Sequence, residues 1–180
     1  MMMLVRWLIV IILWPTFLAP AAAGQSAVSA KDFLSSIYQL YGNKGHGIPY
    51  SPRYIHSSLL FLIHADLKAA QAASEVPWPL DADIACDCQE WDGIWLDKLD
   101  VKLEKPERAI VVASFYIYSP ENRSGDDRDR REMRYTLLAE RGGWRIYDIE
   151  DMSRKFDPKE PRSLRRQLRQ DIESFKHESR

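Results

Sequence analysis

The sequence predicts an α+β domain: two amino-terminal helices and one carboxy-terminal helix packed on a curved, cone-like antiparallel sheet. Three observations lead there. Apolar residues recur at helical intervals before residue 74, alternation and β-branched runs fill residues 97 to 149, and helical spacing returns after residue 160. Helices with a single apolar face bury it across one face of such a sheet.

The opening MMMLVRWLIVIILWPTFLAPAAAG places Arg6 before an apolar run from Trp7 to Leu18, followed by small residues through Ala23. This is the charged, apolar and small-residue order of a secretory signal peptide, expected over residues 1–23. Pro15 and Thr16 limit the uninterrupted apolar stretch to about twelve residues, too short for a comfortable span, so no stable membrane insertion is expected after cleavage. Residues 24–180 are then one domain in a periplasmic or secreted location.

Within it, Phe33, Ile37, Leu40 and Tyr41 mark a helix over 29–41, with Ser26 or Ser29 as its cap. Glycines 42, 45 and 47 end it. A second helix is expected over 52–73, with Pro52 in its first turn and Ile55, Leu59, Leu62, Ile63 and Leu67 facing inward. Residues 75–95 contain Pro77 and Pro79 and read as an irregular connection, long enough to form a wall, lid or binding loop. Strands follow over 97–104, 110–119, 130–140 and 144–149, the last two joined by a tight turn at Gly142 and Gly143. The charged loop 120–131 reads as a solvated connection. Asp157, Pro158 and Glu160 suit the first turn of a basic helix whose Leu164, Leu168, Ile172 and Phe175 share one face.

Without Arg6 the balance is 24 basic against 26 acidic residues, which gives no reason to expect a nucleic-acid partner. The chain lacks a dinucleotide fingerprint, a phosphate-binding P-loop and a nucleophile elbow, so the common nucleotide and hydrolase mechanisms have no foothold.

The segments YSPRYIHSSLLFLIHAD (50–66), CQEWDG (88–93), SFYIY (114–118), GGWRIYDIED (142–151) and SLRRQL (163–168) together resemble the DUF3828 group of exported bacterial proteins. The resemblance covers about residues 30 to 172. It implies an NTF2-like, cystatin-like fold for the cone and supplies no catalytic residues.

Cys86 and Cys88 stand two apart beside acids and Trp91. The spacing leaves three states open: an intrachain disulfide, an intermolecular bond supporting a homodimer, or free thiols. A zinc site would need further ligands, and His46, His56, His64 and His177 form no metal motif, with His64 and Asp66 the nearest helpers. Neither a metal nor a cofactor is expected.

Trp78, Trp91 and Trp95 read as anchors pinning the connection to the core, or as an aromatic ligand wall. Strand alternation places Asp148 inward with Trp144 and Ile146, where Tyr41, Tyr116, Tyr118 and Tyr135 are potential pocket partners. Asp148 then forms either a structural salt bridge, for instance to Arg53, or an acid/base pair with Tyr or His. The favoured expectation is a non-catalytic domain binding a small molecule or a cell-envelope protein in a pocket between sheet and helices. The alternatives are a small cavity enzyme using Asp148 and a structural or inhibitory protein-interaction module.

Overall fold

The computed structural model describes residues 26–41, 47–77, 83–86, 88, 91–125, 129–153 and 162–178. The expected signal peptide, Trp78 and the Asp157–Pro158 helix start lie outside the described residues. Helix α1 spans Ala27–Tyr41 and opens on a reciprocal cap, in which Ser26 Oγ accepts from Ser29 N at 3.1 Å and Ser29 Oγ accepts from Ser26 N at 3.0 Å. Its buried stripe is Ala30, Leu34, Ile37, Tyr38 and Tyr41. Each large side chain so buried contributes roughly 1.5–3 kcal/mol.

Helix α2 runs Ser57–Ala73, five residues later than the sequence suggests. The delay has a cause: residues 54–56 pair with the sheet, Ile146 N donating to Tyr54 O and His56 N to Ile146 O, both at 2.9 Å. His56 then caps the helix, its Nδ1 accepting from Ser58 N at 3.2 Å. At the other end Ser74 adopts a left-handed conformation and closes the helix onto Ala70 and Gln71.

Strands β1 (Trp95–Lys105), β2 (Arg108–Tyr116), β3 (Arg130–Glu140), β4 (Gly143–Asp151) and β5 (Arg162–Ser163) follow, and helix α3 (Leu164–Glu178) packs beside α2. All neighbouring strands are antiparallel and ordered β1-β2-β3-β4-β5. The β3–β4 turn is Arg141–Gly142, with φ 52° and 76°, closed by the pair Glu140 and Gly143. Two positive φ values suit a two-residue hairpin, and here an arginine fills the first.

The expected NTF2-like cone is not formed. Among the described residues each strand pairs with its sequence neighbours, with one added bridge from Ile55 to Ile146 of β4, so the sheet is an open five-stranded meander. Antiparallel connections keep the order sequential, and among the described residues no strand crosses back to close a cavity mouth.

Alternation divides the sheet into two unlike faces. Ala109, Val111, Ala113 and Phe115 of β2, Met133, Tyr135 and Leu137 of β3, and Trp144, Ile146 and Ile149 of β4 lie buried in a single core with the helices. The opposite face carries Lys98, Asp100 and Lys102 of β1, Ile110 and Val112 of β2, Arg134 and Thr136 of β3, and Glu150 of β4.

Candidate functional site

The two cysteines are joined in an intrachain disulfide, with α-carbons 5.2 Å apart. The bond lies within a small loop whose ends meet through Asp83 N donating to Cys88 O at 3.1 Å. Asp83 Oδ1 holds the loop from within, accepting from Ala85 N at 2.8 Å and from the Tyr41 hydroxyl at 2.7 Å. Tyr135 donates its hydroxyl to Ala85 O at 2.6 Å and lies 2.7 Å from the Tyr38 hydroxyl. Since the single Tyr135 proton is committed to Ala85, Tyr38 is the donor in that pair. Trp91 packs on Tyr41 with ring centroids 5.1 Å apart.

This cluster is a wall, not a reactive centre. Burial pushes the Tyr41 hydroxyl well above its usual range, and the nearby Asp83 carboxylate raises it further. Tyr135 is likewise raised by burial. Burial also raises the Asp83 carboxyl, opposed by the bonds it accepts from Tyr41 and the backbone. Cys86 is fully buried and Cys88 nearly so, which shields the disulfide from exchange with an outside thiol.

The residues expected to line one pocket do not share a cavity in the two spaces lined by described residues. One internal space lined by described residues, among them Ile84, Met133, Ile149 and Leu164, has a volume of about 10 Å³. That is room for about one water molecule.

Asp148 is not inward either. Thr136 pairs with Asp148 and Leu137 with Ile146, so Tyr147 is an extra residue that forms a β-bulge. A bulge reverses the alternation beyond it. Asp148 therefore joins Glu150 on the outer face, whereas Ile149 and Asp151 turn inward.

There the Asp148 carboxylate accepts from Ser163 Oγ at 2.8 Å, Arg165 N at 3.1 Å and Ile149 N at 2.9 Å. It thus sits at the α3 amino terminus, beside Ser163, whose Oγ accepts from Arg166 N at 3.3 Å. An anion there satisfies orphan amides and favours the helix dipole. Burial raises its carboxyl, against the lowering effect of these bonds. Arg165 stacks on Tyr147 at 4.1 Å and donates to Ser58 Oγ at 3.1 Å, tying α3 to the bulge and α2. No Tyr or His bonds Asp148 among the described residues, and Arg53 lies over Tyr54 instead, so neither the expected acid/base pair nor that salt bridge forms.

The remaining predicted residues scatter. Trp95 opens β1 with its ring against Gly93, where a Cβ would come within 2.7 Å of it. Tyr116 lies beneath the Arg123 guanidinium at 3.7 Å, and Tyr118 packs at the core edge. Tyr41, Trp91 and Tyr135 share the wall cluster, and Asp148 is on the other face.

A groove of about 470 Å³ crosses the outer face. Lys102, Glu104, Arg108, Arg134 and Glu150 wall it over Ile110 and Thr136, and Tyr147 and Asp148 close one end. Arg108 pairs with Glu104 at 2.9 Å and Arg134 with Glu150 at 2.5 Å, which raises the Arg134 guanidinium. With Asp148 engaged by α3, Lys102 is the cation of the groove without an ion-pair partner among the described residues.

Sequence reasoning missed Asp66. It is fully buried on α2, and neither carboxylate oxygen has a hydrogen-bond partner among the described residues. Burial, with repulsion from Asp171 on α3, raises it to about 6. Its position was legible, because it continues the inward stripe of Leu59, Ile63 and Ala70. Among the described residues no group of three or more His, Cys, Asp or Glu side chains could hold a metal, and no helix is long and apolar enough to cross a membrane.

No family model, no curated protein and no solved structure matches this chain, so the DUF3828 resemblance has only the quoted motifs behind it.

Proposed function

We propose that this chain is an exported, non-catalytic domain that binds a protein of the cell envelope across the outer face of its sheet. The carrying observation is the groove on that face, with charged side chains at its rim and Ile110 within it. An open groove on a sheet face suits a segment of a protein chain better than an enclosed small molecule. The disulfide and the amino-terminal leader pattern support export to an oxidising compartment.

The groove favours a particular chemistry. Lys102 offers an unpaired cation at the rim, and Ile110 offers apolar floor. The partner segment is therefore one that presents an acidic side chain next to an apolar one. Arg134 and Glu150 satisfy each other and act as a neutral wall.

The test places a photo-crosslinking amino acid at Ile110 and, as a control, at the exposed Lys68 of α2, in the full chain expressed in its host. The proposal expects a discrete protein adduct from position 110 and none from position 68. It is overturned if position 110 gives no protein adduct, or if both positions give the same set.

A further inference from the structure

β1 is an edge strand whose outer backbone is unpaired in the sheet order. Such an edge accepts another strand unless something blocks it, and alternating charges usually block it. Here the charges are Asp97, Lys98, Asp100, Lys102, Glu104 and Lys105, all exposed. Their order does more than repel.

We propose that β1 pairs antiparallel with β1 of a second copy of this chain about a twofold axis through Val101, joining two sheets into one. A twofold axis perpendicular to the sheet keeps the helices of both copies on one side and requires facing residues to share a face. Through Val101 it sets Asp100 opposite Lys102, Lys98 opposite Glu104 and Asp97 opposite Lys105, each twice. Every charged pair joins opposite signs. On the other face Leu99 meets Leu103, which is 40% exposed in the single chain and would be covered.

Neighbouring registers match less well: axes through Leu99 or Leu103 also join opposite signs, but only Lys98 with Asp100 or Lys102 with Glu104. An axis through Asp100 sets that residue against itself and Lys98 against Lys102. An axis through Lys102 sets it against itself and Asp100 against Glu104. Opposite charges facing across strands stabilise the pairing and like charges oppose it, so the charge pattern that repels an arbitrary strand selects this one.

The backbone permits the contact. β1 is regularly paired to β2 from Lys98 to Leu103, with irregularities only between Leu96 and Lys98 and between Leu103 and Lys105. The central pairs fall within the regular stretch, and the outermost ones sit where the strand bends. Lys98 and Asp100 now bridge each other at 2.6 Å while exposed to solvent, a weak contact that exchanges readily for cross-strand pairs.

The experiment is sedimentation velocity on the purified mature chain alone, without any partner, at low and high salt. The expected result is a concentration-dependent dimer that weakens as salt screens the rim charges. Lys102→Glu and Asp100→Lys should each weaken it at least about tenfold, the sum of several like-charge juxtapositions. The double variant Asp100→Lys/Lys102→Glu should restore it, because the signs are exchanged but remain opposite. Val101→Cys should oxidise to a covalent dimer, while Val112→Cys, on the adjacent strand, should not. A chain that stays monomeric at low salt overturns the proposal, as does a dimer indifferent to Lys102→Glu, a double variant that fails to rescue, or equal crosslinking at 101 and 112. Because no partner is present, failure here leaves the envelope-binding reading to its own test at Ile110.

Discussion

The two faces of the sheet hold comparable chemistry and use it in opposite ways. On the inner face Tyr38, Tyr41, Tyr135 and Asp83 satisfy one another around the Cys86–Cys88 loop, and each is buried or nearly so. On the outer face Lys102, Arg108, Arg134 and Glu150 are at least partly open to solvent around a groove. The contrast separates polar groups that hold the fold from polar groups open to a partner. Polar groups that are mutually satisfied and dry hold the fold, and polar groups left wet on an uncovered face are free to meet another molecule.

The largest effect that would sharpen this contrast comes from the inner cluster. Tyr135→Ala should cost about 3–5 kcal/mol in urea unfolding, because it empties a fully buried aromatic site. Tyr135→Phe isolates the polar part: it leaves Ala85 O and the Tyr38 hydroxyl without their partner and should cost about 1–3 kcal/mol. A loss below that range for Tyr135→Phe would mean that water reaches the wall, and the division between dry and wet faces would fail.

Asp66 is the exception inside, and its effect has the opposite sign. Its carboxyl is raised from 3.8 to about 6, so the folded chain binds this proton more tightly than the unfolded chain does. The cost of the buried charge is complete above about pH 6 and disappears as pH falls from there through 3.8. Asp66→Leu should therefore stabilise the protein at pH 7 by up to roughly 3 kcal/mol, with the gain shrinking toward pH 4. Unfolding curves at a series of pH values check both the sign and the window. A gain that persists undiminished at pH 4 would assign the effect to packing instead of charge.

Asp148 belongs to the outer face by position and to the fold by role. Asp148→Ala removes the acceptor for Ser163 and Arg165 N and should cost about 1–2 kcal/mol, as loss of a helix cap does. A smaller loss would place less weight on the junction of β4 and α3.

Much of the layout is legible in the sequence, because period changes are local. The first helix and all four long strands fall within a few residues of their expected places. What was not legible depends on pairing across the sheet. The bulge at Tyr147 leaves no mark in WRIYDIED, yet it moves Asp148 to the other face and replaces an expected pocket acid with a helix cap. The late start of α2 follows from Tyr54 and His56 bonding to Ile146, a contact 90 or more residues away along the chain. The cone failed for a similar reason, since alternation identifies strands but not the order in which they close. Cys86, Cys88 and Trp91 of the CDCQEWDG stretch pack against the core. The bonds that hold the loop there, from Tyr41 and Tyr135, come from elements the motif itself does not reveal.

The most direct measurement combines stability and contact in one variant, Ile110→Glu. This half-buried residue lies on the floor of the outer groove. The account predicts a change in unfolding free energy within about 0.5 kcal/mol, as for an ordinary surface substitution, together with loss of the protein adduct formed by a photo-crosslinker at neighbouring Val112. Retention of that adduct at full yield in a folded Ile110→Glu protein would contradict the claim that the outer face is the binding surface.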